Sequence, residues 1–263
     1  SRRLTAESVT ISSESMIGLR CRNTSFWTNF MCSFIGNFNP LESWRGFQEG
    51  NAVQYTFFVP HDPEGLVSKI GEEEFNHRLD SIFTVARKSI FGGGKTVHAF
   101  AGLQSPYNHG NQPNLHISWL FNWSGKPWLT QKWTRLICDE FYGTGAEHGY
   151  GYGQDEDQGQ LGAWYVMAAM GLFDVKGGTA ENPDMQIGSP QFDRIEINLS
   201  PVNATGRKFV IKTKGNGADT YYIQSASLNG KLHQSCRIPN SEIFKGGKLV
   251  LEMGTEPNEK WGK

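Results

Sequence analysis

The chain has 263 residues and a formal net charge of -1, from 25 basic and 26 acidic side chains. That length allows one large domain or two modest ones with a real core, and so even a charge balance gives no attraction for nucleic acid or an anionic membrane. No apolar run is long enough to span a bilayer, and Cys21, Cys32, Cys138 and Cys236 are too widely spaced for a zinc site.

Residues 1–40 mix polar and aromatic groups and end in Gly36-Asn37-Phe38-Asn39-Pro40, a loop signature. A compact apolar run over 49–58, stopped before Pro60, predicts a first helix. The spacing of Phe75, Leu79, Ile82, Phe83 and Ala86 predicts a second over 72–90, ended by Gly92-Gly93-Gly94. Further helices are predicted from Gln112 or Pro113 to Trp123 and from Pro127 to Tyr142. A glycine-rich loop, 143–153, leads into 158–171, which is apolar nearly all round and so reads as a buried helix.

After Gly177-Gly178 the pattern changes. Residues 192–199, 208–213, 221–225 and 248–253 alternate as strands do, separated by Asn-Gly and Gly-Gly turns. The chain thus reads as mainly α with a β-rich end, dividing into residues 1–180 and 181–263. Helices that must each bury one face stack well as antiparallel pairs around a ring, and about six of them make only part of a closed toroid.

Trp and Tyr lying beside Asn, Gln, Asp and Glu suit a sugar, with an apolar platform for its C–H faces and polar groups for its hydroxyls. Hydrolysis of a glycosidic bond needs one neutral carboxyl to protonate the leaving oxygen; an inverting enzyme adds an ionised one to activate water. Glu49, within Phe47-Gln48-Glu49-Gly50-Asn51-Ala52-Val53-Gln54-Tyr55, is a lone carboxylate whose neutral and aromatic neighbours would desolvate it, as a general acid requires. It reads equally as a helix-start Glu facing the dipole. Asp155-Glu156-Asp157 places three like charges at the mouth of a helix, which suits a cation, a chemical task or a solvated acidic cap. Their spacing is not that of an EF-hand loop. Residues 107–116 carry amides and imidazoles fit for sugar hydroxyls or a metal, or simply for a loop. His61-Asp62 reads as a buried pair or a ligand clamp. Four sequons occur, at Asn23, Asn122, Asn198 and Asn203.

In these phrases the chain resembles glycoside hydrolase family 92, the calcium-dependent exo-α-mannosidases. They are Glu49-Gly50-Asn51-Ala52 with Gln54-Tyr55 and Phe58-Val59-Pro60-His61-Asp62; His109-Gly110-Asn111-Gln112-Pro113 with Gly125-Lys126-Pro127-Trp128; Asp155-Glu156-Asp157-Gln158-Gly159-Gln160 with Ala163-Trp164-Tyr165; and Ile187-Gly188-Ser189-Pro190 with Phe192-Asp193. The resemblance implies that residues 1–180 are the later helices of an (α/α)6 toroid. It further implies that residues 181–263 are C-terminal β-structure, and that an N-terminal β-sandwich and the early toroid helices lie outside this chain.

It also implies Glu49 as general acid, Asp155 and Asp157 as the aspartates that activate water, and Ca2+ holding O2 and O3 of a terminal mannose. Asn111, Gln112 and Asp157 are the candidate calcium ligands; His61, Asp62, His109 and Asn111 are the candidate sugar contacts. Gln112 stands where many members carry Glu, which bears on the leaving-group site. The implied activity is removal of non-reducing α-mannose from N-glycans or mannan with inversion, by a secreted enzyme, or a periplasmic one if bacterial. A non-catalytic, calcium-dependent mannose-binding fragment and a mannose-phosphate hydrolase are the alternatives. Glu49 favours ordinary glycosides, because a phosphate leaves without protonation.

Overall fold

The computed structural model describes residues 38–44, 46–93, 102–145, 148 and 159–263. Leu41–Lys263 forms one unit, in which the helical and β segments pack together. Its first helix, α1 (Ala52–Tyr55), is one turn long and starts at Asn51, whose side chain accepts the backbone N–H groups of Val53 and Gln54. Helix α2 (Pro63–Ile70) starts in the same way: Asp62 accepts the N–H of Gly65 at 2.9 Å, and Pro63 occupies the position whose N–H no helix uses. Helix α3 (Glu72–Arg87) carries Glu72, Glu73 and Glu74 against the positive end of its dipole and buries the predicted stripe from Phe75 to Ala86.

That helix stops before the glycines, because Ile90 and Phe91 both take positive φ, 52° and 53°. This is strained for side chains with a Cβ. Complete burial of Phe91, edge-on to Tyr107 and Trp133, offsets the strain.

The helix predicted over 112–123 is instead two 3-10 segments, Gln112–Asn114 and Ile117–Asn122. Runs this short gain little from α-helical propagation, and every side chain of the second is buried, so packing rather than period dictates its winding. Helix α4 (Pro127–Glu140) follows as predicted, and α5 (Gln160–Met170) after it. α5 is buried on one face only: Leu161, Trp164, Ala168 and Ala169 are inside, while Ala163 and Val166 are exposed, Val166 by 56%. Among the described residues α5 has packing partners along one side, so its other apolar side meets solvent.

Strands begin at β1 (Leu172–Phe173), which with β2 (Asp184–Ile187) and β7 (Arg237–Pro239) makes a small antiparallel sheet in the order β1-β2-β7. The larger sheet has the order β3-β4-β8-β5-β6, from β3 (Arg194–Asn198), β4 (Lys208–Lys214), β5 (Tyr222–Leu228), β6 (Lys231–Leu232) and β8 (Gly247–Gly254). Its β4/β8 pair is parallel. Phe209 and Ile211 on β4 and Leu249 and Leu251 on β8 point into one core, the alternation that made these strands readable. A one-turn helix, α6 (Asn240–Phe244), joins β7 to β8.

The helical core, with Phe57, Phe75, Phe83, Trp119, Trp133 and Trp164, and the sheet core, with Ile187, Phe209, Ile223, Leu249 and Trp261, are tied together. Trp119 stacks on Phe173, and Gln131 accepts the N–H of Ile223 at 2.8 Å. The buried Arg135 guanidinium donates to the Pro190 carbonyl at 2.5 Å and the Gly217 carbonyl at 3.2 Å.

This packing separates the sequons. Asn122 is buried, its amide donating to the Ile187 carbonyl, and the Ser124 hydroxyl of the same triplet donates to Asn76. Asn198 and Asn203 are exposed; Asn23 lies outside the described residues. Folded protein secreted from a eukaryotic host is therefore expected to carry N-glycan at Asn203 and Asn198 and none at Asn122, where a glycan would have to displace the core. Peptide mass spectrometry after enzymatic deglycosylation in heavy water checks this, and occupancy at Asn122 in folded protein would refute the packing described.

Candidate active site

Glu49 sits at φ 51°, in the left-handed region that a side chain with a Cβ adopts only when its surroundings insist. They do so by holding three consecutive carbonyls. Tyr55 Oη donates to the carbonyl of Gln48 at 2.6 Å, Asn111 Nδ2 to that of Glu49 at 2.5 Å, and the Trp44 N–H to that of Gly50 at 3.1 Å. Behind the loop, the fully buried amides of Asn51 and Gln54 donate to the carbonyls of Gly102, Leu103 and Ser105, at 2.7–2.9 Å. Asn51 and Gln54 are thus the anchors of the loop that carries Glu49.

The Glu49 carboxylate itself is exposed. The neighbouring rings of Phe47 and Tyr55 lie 5.5 Å apart between centres, yet Glu49 is exposed within this unit where its sequence surroundings predict burial. Glu49 is open to solvent within this unit, so a covering surface would have to come from other residues. Burial first, and then the charge of Glu49, raise the Tyr55 phenol above its ordinary value.

The second half of the site is the loop carrying His109, Asn111 and Gln112. Asn111 joins the two halves directly, through the bond to the carbonyl of Glu49, 62 residues away in sequence. His109 has no exposed surface. Its Nδ1 lies 2.7 Å from Tyr107 Oη and its Nε2 2.9 Å from Tyr142 Oη, and Tyr142 Oη donates to the carbonyl of Leu161 at 2.9 Å. Burial lowers the imidazole to about 3, so it is neutral. With both ring nitrogens occupied inside the protein, His109 supports the loop and offers no face to a sugar in this structure.

His61 and Asp62 are both exposed, and the Asp62 carboxylate is already the N-cap of α2. Trp164 holds the other end of the loop, its indole donating to the Leu115 carbonyl at 2.7 Å. Asp155, Glu156 and Asp157 lie outside the described residues.

The donor chemistry of this loop fits a calcium ion, which takes carboxylate and amide oxygens. Asn111 uses its amide N–H on the Glu49 carbonyl, which leaves its side-chain oxygen for a cation; Gln112, half-buried, adds a second hard oxygen, and the buried Asn114 Oδ1 has no hydrogen-bond partner among the described residues. The supports at Asn51, Gln54 and Trp164 stood within recognisable sequence phrases, whereas Tyr142 carried no sequence signal.

The glycosyl hydrolase family 92 catalytic domain matches residues 23–255. An uncharacterized secreted glycosidase from Arthroderma benhamiae is 28% identical over 240 residues, which are 88% of this chain and 27% of that protein. Among solved structures, a family GH92 alpha-mannosidase from Bacteroides thetaiotaomicron superimposes with a TM-score of 0.71 at 30% identity, over 86% of this chain and 27% of its own. The same enzyme in complex with mannoimidazole gives 0.71 at 28%, over 86% and 29%. A family GH92 inverting mannosidase from Bacteroides thetaiotaomicron gives 0.71 at 35%, over 86% and 30%. The chain thus spans less than a third of the length of these relatives. With the family's catalytic domain matched from residue 23 to 255 and the loops of its characteristic phrases meeting at Glu49 and Asn111, the chain belongs to glycosyl hydrolase family 92.

Proposed function

We propose that this chain carries the acid and base of an inverting exo-α-mannosidase whose remaining parts lie outside it. The observation that carries the reading is the acid loop: a carboxylate on a strained backbone, with the carbonyls of Gln48, Glu49 and Gly50 each held by a different partner. Strain maintained at that expense in hydrogen bonds belongs at a site where position matters more than stability. The solved relatives support it: one is named an alpha-mannosidase and is also solved in complex with mannoimidazole, and another is named an inverting mannosidase.

In this reading Glu49, as the neutral acid, gives its proton to the glycosidic oxygen of a terminal mannose. Asp155 and Asp157 take a proton from water on the opposite face of the ring; inversion in general requires acid and base carboxyls roughly 6.5–9.5 Å apart, which leaves room for that water. A calcium ion, when bound, supplies a hard centre for the vicinal O2 and O3 hydroxyls, and Asn111, Gln112 and Asp157 are the residues that would hold it. His61 and Asp62, both exposed, are the further candidate sugar contacts, Asp62 through whatever acceptor capacity its bond to the Gly65 N–H leaves.

The exposed Glu49 carboxylate and the outward apolar residues Val85 on α3 and Val166 on α5, 50% and 56% exposed, are surfaces that the early helices of an (α/α)6 toroid and an N-terminal sandwich would cover. N-glycans and mannan are the substrates that present such mannose. Secretion is supported by the naming of the Arthroderma relative as a secreted glycosidase.

The full protein is expected to release mannose from an α-mannoside as the β-anomer, seen first by proton NMR before mutarotation. EDTA should abolish release and added Ca2+ restore it. The α-anomer appearing first would sink inversion, turnover unchanged in EDTA would sink the calcium role, and no release at all would sink the enzyme.

A further inference from the structure

The buried hydrogen bonds around His109 have a direction that the chemistry determines. The carbonyl of Leu161 can only accept, so the single proton of Tyr142 Oη points to it. The Tyr142 oxygen is then an acceptor for the imidazole, which places the His109 proton on Nε2. Nδ1 is left as an acceptor, and Tyr107 Oη donates to it. The chain runs Tyr107 to His109 to Tyr142 to Leu161 with one proton per link, and Tyr107 and His109 are wholly buried.

Its two ends matter. His109 is anchored through its own N–H to the carbonyl of Phe91 at 2.8 Å, one of the two strained residues after α3, and stands two residues before Asn111, which holds Glu49. Leu161 is the second residue of α5, four positions after Asp157 in sequence. The Trp164 ring packs edge-to-face on His109 with centroids 4.2 Å apart, so α5 grips this loop from its next turn as well.

We infer that His109 and Tyr142 are positioning residues: they set the distance between the acid loop and the start of the helix that follows the acidic triplet. A rigid, directional tie is suited to that task, because a misplacement of about 1 Å at a reacting centre costs on the order of 100-fold in rate. The apolar packing of His109 against Phe141 and Trp164 would survive replacement by a hydrocarbon of similar size; the tie would not. This inference rests on the mannosidase reading.

The test uses the full protein with His109→Leu, His109→Gln and Tyr142→Phe, each measured for kcat and KM on an α-mannoside and for its thermal midpoint. Tyr142→Phe and His109→Leu are expected to lower kcat about 10- to 100-fold with KM within about threefold of wild type. His109→Gln, whose amide can donate to Tyr142 and accept from Tyr107, should recover most of kcat. If Gln is no better than Leu, or if Tyr142→Phe keeps kcat within about threefold, the positioning role is overturned. Losses of kcat that follow only the fall in thermal midpoint, in Gln and Leu alike, overturn it as well. A wild-type protein inactive on every α-mannoside instead removes the functional reading and leaves the hydrogen-bonded chain as a structural feature.

Discussion

Glu49→Gln is expected to lower kcat on an alkyl α-mannoside about 10²–10⁴-fold, the usual worth of one general acid, with little change in KM. The amide has the shape of the carboxyl and keeps the loop, since the bonds that hold the loop are made by the backbone carbonyls of residues 48–50 and not by this side chain. What it lacks is the proton. The loss should therefore shrink towards wild-type activity on an aryl mannoside whose leaving group departs without protonation. Equal losses on both substrates would show that Glu49 is needed for something other than acid catalysis. Full activity on the alkyl mannoside would end the assignment altogether.

Trp164→Ala is expected to have the largest effect on stability, about 3–5 kcal/mol as read from a denaturant melt of this unit. The ring is almost wholly buried, stacks on Tyr142 with planes 8° apart, meets His109 edge-on and donates to the carbonyl of Leu115. Removing it opens a cavity between α5 and the 107–116 loop and leaves that carbonyl without its partner. Trp164→Phe keeps much of the volume but not the N–H, and should lose about 1–3 kcal/mol. An alanine variant within about 1 kcal/mol of wild type would mean that the loop is held in place without α5, contrary to the packing argument.

Much of the fold was legible because its determinants are local. α3 shows its period in five apolar residues, and β4 and β8 show the alternation of a half-buried sheet. α2 was readable in principle from Asp62-Pro63 and from Leu66, Val67 and Ile70, but Gly65 near its start breaks an already short pattern. The strands of the small sheet, two to four residues each, are too short to display any period. The 3-10 winding of 117–122 escaped for the opposite reason: a segment buried on every side has no face to reveal.

The site divides in the same way. The sequence by itself determined the identities and the grouping: a lone carboxylate among neutral residues, amides and imidazoles in one loop, an acidic triplet before an apolar helix, and the family to which these phrases belong. Only the tertiary structure decided that Asn111 reaches the carbonyl of Glu49, that His109 is a neutral, doubly bonded support rather than a surface group, and that Tyr142 takes part at all. Their partners lie 62 and 33 residues away along the chain. A side chain's protonation and task follow from what packs against it, and contacts over such separations leave no trace in local periodicity.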